Sequence, residues 1–415
     1  MTTSPRVRRI KVKGLFGIFD HEIPLNMDER ITILHGPNGY GKTIVLRMLD
    51  ALFRGQWETI GAVPFDSFSV EFENGMVLGV KREPEGDVPS PFLEALKGLV
   101  FFCHGSPLHD PAVFSWDSQR DQITSILFHL DGIKATVTQR LIGWLAASCG
   151  ELQPRMIETH RLVHEVSRHS QFLGNRSAVL TYSDELVQAI EATLARYASR
   201  AQELDSTFLD RLFRQTPQTE LPIEEIEVRL RGLDDKRARL VQLGVLDPER
   251  ESHKKTPRLE ESKRDVLTVY IEDTESKLGM LEDLAWRIEL LTEAVNRRFV
   301  YKRMSVSRGE GFVFRSLVDG RSVPSDRLSS GEQHEVVLLY ELLFHVKPGS
   351  LVLIDEPEIS LHLAWQNQFL GDLLQMVELG GYDVLVATHS PSIIDDRWDL
   401  TVELKGPELP AKAAE

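Results

Sequence analysis

The chain has 415 residues, enough for two or three compact units with ample core. It carries 48 Lys plus Arg against 63 Asp plus Glu, a formal net charge of −15, which argues against a surface coated in basic residues for non-specific nucleic-acid binding. Cys103 and Cys149 are the two cysteines and form no CxxC, so neither a disulfide framework nor a cysteine zinc site is expected, and a reducing, intracellular setting follows.

Arg6, Arg8 and Arg9 interleave with Val7, Ile10 and Val12 as in a strand, with no apolar signal-peptide core behind them. No window approaches the roughly 18 apolar residues of a membrane span, so a cytoplasmic, membrane-free protein is expected. A turn at Gly14 and a second strand over Ile18 to Leu25 follow. Ile31, Ile33 and Leu34 then form a short apolar run that reads as a buried strand, and Val45, Leu46, Leu49 and Phe53 have helical spacing over Lys42 to Phe53. Between them lies GPNGYGKT, Gly36 to Thr43, which fits the Walker A pattern GxxxxGK[ST]. Gly36, Asn38, Gly39 and Gly41 build a loop whose N–H groups curl round phosphates; Lys42 reaches the terminal phosphates and the Thr43 hydroxyl helps hold magnesium. The expected ligand is therefore a nucleoside triphosphate with Mg2+.

Phe68, Val70 and Phe72 alternate before an Asn74-Gly75 turn, and Met76, Leu78 and Val80 return, predicting a hairpin. The stretch from Pro84 to Pro111 is rich in Pro and Gly and reads as surface loop. Helices are expected to dominate from Ser118 to Phe299. Leu267, Ile271, Thr274, Leu278, Leu281, Ala285, Ile288, Thr292, Val295 and Phe299 alternate spacings of four and three, a heptad seam about 50 Å long. A second seam runs through Ile226, Leu230, Leu233 and Leu240, and the polar tract 248–257 reads as the turn of a short antiparallel arm. Tyr301 to Val323 holds two strand-like runs, around Arg308 to Gly311 and Asp319-Gly320.

LSSGEQHEV, beginning at Leu328, opens a helix through Val336, Val337, Leu339, Tyr340 and Leu343; Ser and Gly at a helix start leave N–H groups free for an anion. LVLIDEPEISLH from Leu351 is an apolar strand ending in two carboxylates, a Walker B pattern. Asp355 is assigned to the magnesium shell and Glu356 to the attacking water. The strand Val384 to Val386 leads into ATHSP, with His389 at its end.

The order Walker A, long insertion, LSSGEQ, LVLIDEP and VLVATHSP resembles an ABC-type ATPase head, with LSSGEQ matching the ABC signature. The resemblance implies an α/β P-loop fold with flanking antiparallel strands. It also implies a head-to-head dimer in which Ser330, Gly331 and Glu332 of one copy close over the ATP held by the other, with Ser330 and Gly331 on the γ-phosphate. Glu358 to His362 fall at the family's D-loop and His389 at its switch histidine. In the family a glutamine after a first-lobe strand reaches the magnesium. The candidate segment here is RMIETHRLV, where His160 precedes Arg161; either His160 takes the role, or Gln119 or Gln122 does.

The gap between the two halves is too long for a transporter subunit, so the resemblance is to the RecF/SMC/overcoming-lysogenization-defect group. The arm is short and lacks a zinc hook, and no Toprim nuclease is expected after His389. The expected division is 1–180 for the Walker A lobe, 181–300 for the helical arm and 301–415 for the lobe with signature, Walker B and His389. Two functions fit. One is an ATP-driven subunit that controls a separate, nuclease-like effector, as in Septu-type and PARIS-type anti-phage systems; the other is a RecF-like DNA-binding ATPase of repair or replication. Acidic charge and the short arm favour the first and leave nucleic acid open as a further partner.

Overall fold

The structure is a computed structural model, and it describes residues 5–82, 99–104, 113–115, 154–158, 177–214, 222–247, 264–359, 361 and 363–407. In chain order the strands are β1 Val7–Leu15, β2 Phe19–Pro24, β3 Ile31–His35, β4 Ser67–Phe72, β5 Val77–Arg82, β6 Leu99–His104, β7 Val113–Ser115, β8 Arg155–Glu158, β9 Lys302–Ser307, β10 Gly311–Ser316, β11 Ser322–Val323, β12 Leu351–Asp355, β13 Asp383–Ala387 and β14 Thr401–Glu403. The longer helices are α1 Lys42–Arg54, α2 Ala178–Arg214, α3 Ile223–Gln242, α4 Arg264–Arg298, α5 Ser330–Tyr340 and α6 Leu363–Gly380. Contacts group the chain into two compact units, 1–162 with 345–415, and 163–344. Residues 301–344, assigned from sequence to the C-terminal lobe, thus cluster with the helices, because β9 packs on α4, and β10 and α5 on α2.

The first unit is α/β. Among its described residues a parallel sheet runs in the order β14-β3-β13-β12-β8, and an antiparallel sheet in the order β2-β1-β4-β5-β6-β7. Parallel strands carry cover on both faces, and β3, β12 and β13 are correspondingly apolar and buried along nearly their whole length. α1 buries Val45, Leu46, Met48, Leu49, Leu52 and Phe53 in the same core as Leu34, Leu353 and Leu385. β1 alternates instead, burying Val7, Ile10, Val12 and Leu15.

Two expectations for this unit are corrected. The β1–β2 reversal lies at Phe16 to Ile18, where Gly17 N–H bonds Gly14 O; Gly14 sits at a bulge inside β1, with φ 62° and its N–H donating to Asp20 Oδ1 at 2.7 Å. A side chain at Gly14 would meet the Asp66 carboxylate, so the bulge takes glycine. The segment Pro84 to Pro111 is not all loop, because Leu99 to His104 forms β6 along β5. Asn74-Gly75 does turn β4 into β5, with Gly75 at φ 82°.

The second unit is built on α2, α3 and α4. α4 buries Ile271, Leu278, Leu281, Ala285, Ile288 and Val295, as its seam predicts, and α3 buries Ile226, Leu233 and Leu240. The direction of the pair corrects the arm. Arg229 pairs with Glu275, Lys236 with Glu282 and Arg239 with Glu289, so numbers rise together and α3 runs parallel to α4. The antiparallel partner of α4 is α2: Lys277 bonds Asp205 at 2.7 Å, and Asp273 bonds Arg211 further along α2. The turn expected at 248–257 lies outside the described residues. The two strand-like runs near 308–311 and 319–320 are the reversals after β9 and β10, with Gly311 and Gly320 at positive φ. Leu281 lies fully buried in this helical core. Leu281→Ala is expected to destabilise the unit by about 2–5 kcal/mol, read as a lower urea midpoint at unchanged slope. Among the described residues no helix is long and apolar enough to cross a membrane.

Candidate functional site

The site of the first unit forms where β3, β12 and β13 end side by side. β3 runs into the Gly36–Thr43 loop, and α1 begins at Lys42. Gly41 occupies the N-cap with φ 88°; a side chain there would overlap Leu15 Cδ2 at 2.5 Å. Gly36 takes φ 151°, and its ideal Cβ would lie 3.0 Å from Leu404 O. Among the described residues no side chain caps α1, and no acidic residue stands in its first turn, so its leading N–H groups and the positive end of its dipole face the loop, as an anion site requires. Asn38 and Gly39 form the exposed crest of the loop. Lys42 is 5% exposed and donates Nζ to Gly36 O at 2.7 Å and Pro37 O at 3.3 Å.

Thr43 Oγ1 donates to Asp355 Oδ1 at 2.9 Å, joining the Walker A helix to the end of β12. This hydroxyl–carboxylate pair is a hard oxygen donor set, the chemistry that suits Mg2+. Glu356 follows in a left-handed conformation, φ 48°, with its N–H on Ala387 O at 2.8 Å. That turn brings its carboxylate to His389, whose Nδ1 lies 2.5 Å from Glu356 Oε2. Burial first, and then the neighbouring Glu358 carboxyl, raise the Glu356 pKa; His389 opposes them.

Glu358 was placed by sequence only in the D-loop segment, yet it is the hub of the cluster. Its Oε1 accepts Thr388 Oγ1 at 2.7 Å and His389 N–H at 3.0 Å, and lies 3.0 Å from His389 Nδ1. Gln366 of α6 donates to Glu358 O and Leu361 O and accepts from Ser390 Oγ, tying this turn to the loop after β13. The available signal was a second acidic residue two positions after Glu356, which spacing alone does not distinguish from a solvated turn. His160, Gln119, Gln122, Ser360 and His362 lie outside the described residues.

The signature belongs to the second unit. Ser329 caps α5 and forms a capping box with Glu332, so Ser330 and Gly331 open the helix. Lys302 Nζ holds both Glu332 oxygens, at 2.8 and 2.7 Å. A fully buried Arg298–Glu335 pair joins the end of α4 to the same helix.

A family model described as "AAA domain, putative AbiEii toxin, Type IV TA system" matches residues 152–395, more than half of the chain. The chain belongs to this AAA-domain family. The matched stretch contains the signature, Walker B and His389, and the Walker A loop precedes it. An AAA domain is a nucleotide-binding module, in keeping with the Walker A loop. Solved structures with similarity include the Smc head domain with an extended coiled coil bound to the C-terminal domain of ScpA, from Pyrococcus furiosus, at 12% identity and TM-score 0.40, covering 94% of this chain and 91% of that one. An SmcHead bound to the C-winged helix domain of ScpA gives 11%, 0.42, 94% and 91%, and the SMC head domain from Thermotoga maritima 11%, 0.38, 94% and 92%. No curated protein matches the chain.

Proposed function

We propose that the chain binds ATP with Mg2+ at Gly36 to Thr43, hydrolyses it with Glu356 as base, and dimerises head to head around it to control a separate, nuclease-like effector in bacterial anti-phage defence. The observation that carries the ATPase reading is the 2.9 Å Thr43–Asp355 bond beside Lys42 and the Glu356–His389 pair. Gly36, Asn38, Gly39 and Gly41 hold the phosphates through backbone N–H groups, Lys42 neutralises the terminal charge, and Thr43 and Asp355 hold the metal, which supplies charge stabilisation on the transferring phosphoryl group. Glu356 orients and deprotonates water, and His389 reports the γ-phosphate. Ser330, Gly331 and Glu332 of a second copy complete the pocket.

The effector role is supported by charge: a net −15 and an arm of mixed sign suit a protein partner better than a phosphate backbone. Lys42→Ala is expected to abolish ATP binding, with a fluorescent ATP analogue titrated to millimolar concentration giving no saturation. Binding within tenfold of wild type would overturn the assignment of the loop. Co-purification from the native host tests the effector; a nuclease-like partner supports this reading, and a replication or repair complex on DNA replaces it.

A further inference from the structure

Glu356, Glu358 and His389 each present a ligand atom, and the three atoms lie within 4.8 Å of one another. A second observation points to a cation. The Glu358 side chain is only 7% exposed, and while Oε1 takes the contacts from Thr388 and His389, Oε2 is buried without a hydrogen-bond partner. Two carboxylates crowded in a half-buried turn repel each other unless a proton or a cation stands between them. His389 is 49% exposed and Glu356 17%, so one side opens to solvent for entry and for a water ligand.

We propose that these three residues form a site for a divalent transition metal of the Zn2+ class, distinct from the Thr43–Asp355 oxygen pair that suits Mg2+. One imidazole with two carboxylates is a ligand set that zinc accepts, with water as the fourth ligand. Tetrahedral bonds of about 2.0–2.2 Å put neighbouring ligand atoms about 3.3 Å apart. The present separations of His389 Nδ1 from the two carboxylates, 2.5 and 3.0 Å, need to open by less than an ångström. Binding at Nδ1 takes the place of the His389–Glu356 hydrogen bond. It also engages the carboxylate assigned above to water activation, so the ion acts as a brake. That consequence rests on the hydrolysis reading; the binding itself does not.

The test is equilibrium dialysis of the nucleotide-free full chain against Zn2+ in millimolar Mg2+, with Co2+ visible absorption as a second readout. One equivalent per chain is expected, with Lys42→Ala binding as wild type and Glu358→Gln and His389→Asn each weakening binding at least tenfold and losing the Co2+ bands. No saturable binding by wild type, or wild-type binding by both variants, overturns the site. Should Glu358→Gln fail to fold by circular dichroism, His389→Asn at the half-exposed position decides. Zinc bound as expected but with ATP hydrolysis unaffected would refute the assignment of Glu356 as base, not the metal site.

Discussion

Glu356→Gln is expected to bind ATP as tightly as wild type, to hydrolyse it roughly 10²–10⁴ times more slowly, the usual contribution of a positioned base, and to accumulate as an ATP-bound dimer. The amide keeps the shape of the turn, whose backbone bond to Ala387 O does not involve the side chain. What is lost is the charge, and with it the capacity to accept a proton. Burial, with Glu358 beside it, raises the carboxyl of the nucleotide-free wild type above the ordinary 4.5, so the acid limb of the wild-type kcat/KM profile lies above an ordinary glutamate's, and the variant lacks that limb. The same shift fixes the sign for stability. A carboxyl whose pKa is raised on folding favours the folded state at low pH and loses that contribution as pH rises through the raised value. The nucleotide-free Gln variant therefore melts above wild type at neutral pH, and the difference closes as pH falls through the raised value towards 4.5. Hydrolysis by Glu356→Gln at the wild-type rate would overturn the assignment.

The parts of the site legible in the sequence are those where local pattern and chemistry coincide. Ile31 to Leu34 is apolar on both faces because β3 is central in a parallel sheet, and the loop after it needs glycines at Gly36 and Gly41 because the backbone takes φ 151° and 88° there. The Walker B strand carries the same double signal. What stayed hidden was relational. A heptad seam shows which face a helix buries but has no direction, so Ile226, Leu233 and Leu240 marked α3 as a partner of α4 without revealing that the two run parallel. α2, the antiparallel neighbour, is defined by its contacts with α4 and not by a seam of its own. LVFFCH at Leu99 is a short apolar run set between Pro- and Gly-rich stretches, and only its pairing with β5 distinguishes it from loop. Glu358 owes its importance to Thr388 and His389 about thirty residues on, a proximity created by β12 and β13 pairing in register from Leu351–Asp383 to Asp355–Ala387.

Ser330→Arg is expected to leave ATP binding to a single chain unchanged and to weaken ATP-dependent dimerisation at least tenfold, about 1.4 kcal/mol, with hydrolysis falling alongside. Ser330 is exposed at the first turn of α5, and the residue that caps the helix is Ser329, whose box with Glu332 survives the change. The fold is therefore spared apart from about 0.3–1 kcal/mol for a cation at a helix N-terminus. A long side chain at that point obstructs only a surface that must approach something else. If that something is the ATP held by a second copy, closure fails although each Walker A loop remains loaded. Sedimentation in the Glu356→Gln background, with and without ATP, reads the effect, and Ser330→Ala separates bulk from loss of the hydroxyl, since alanine clears the space and removes only one phosphate contact. Normal ATP-dependent dimerisation by Ser330→Arg would remove the composite pocket and leave each chain to hydrolyse ATP alone.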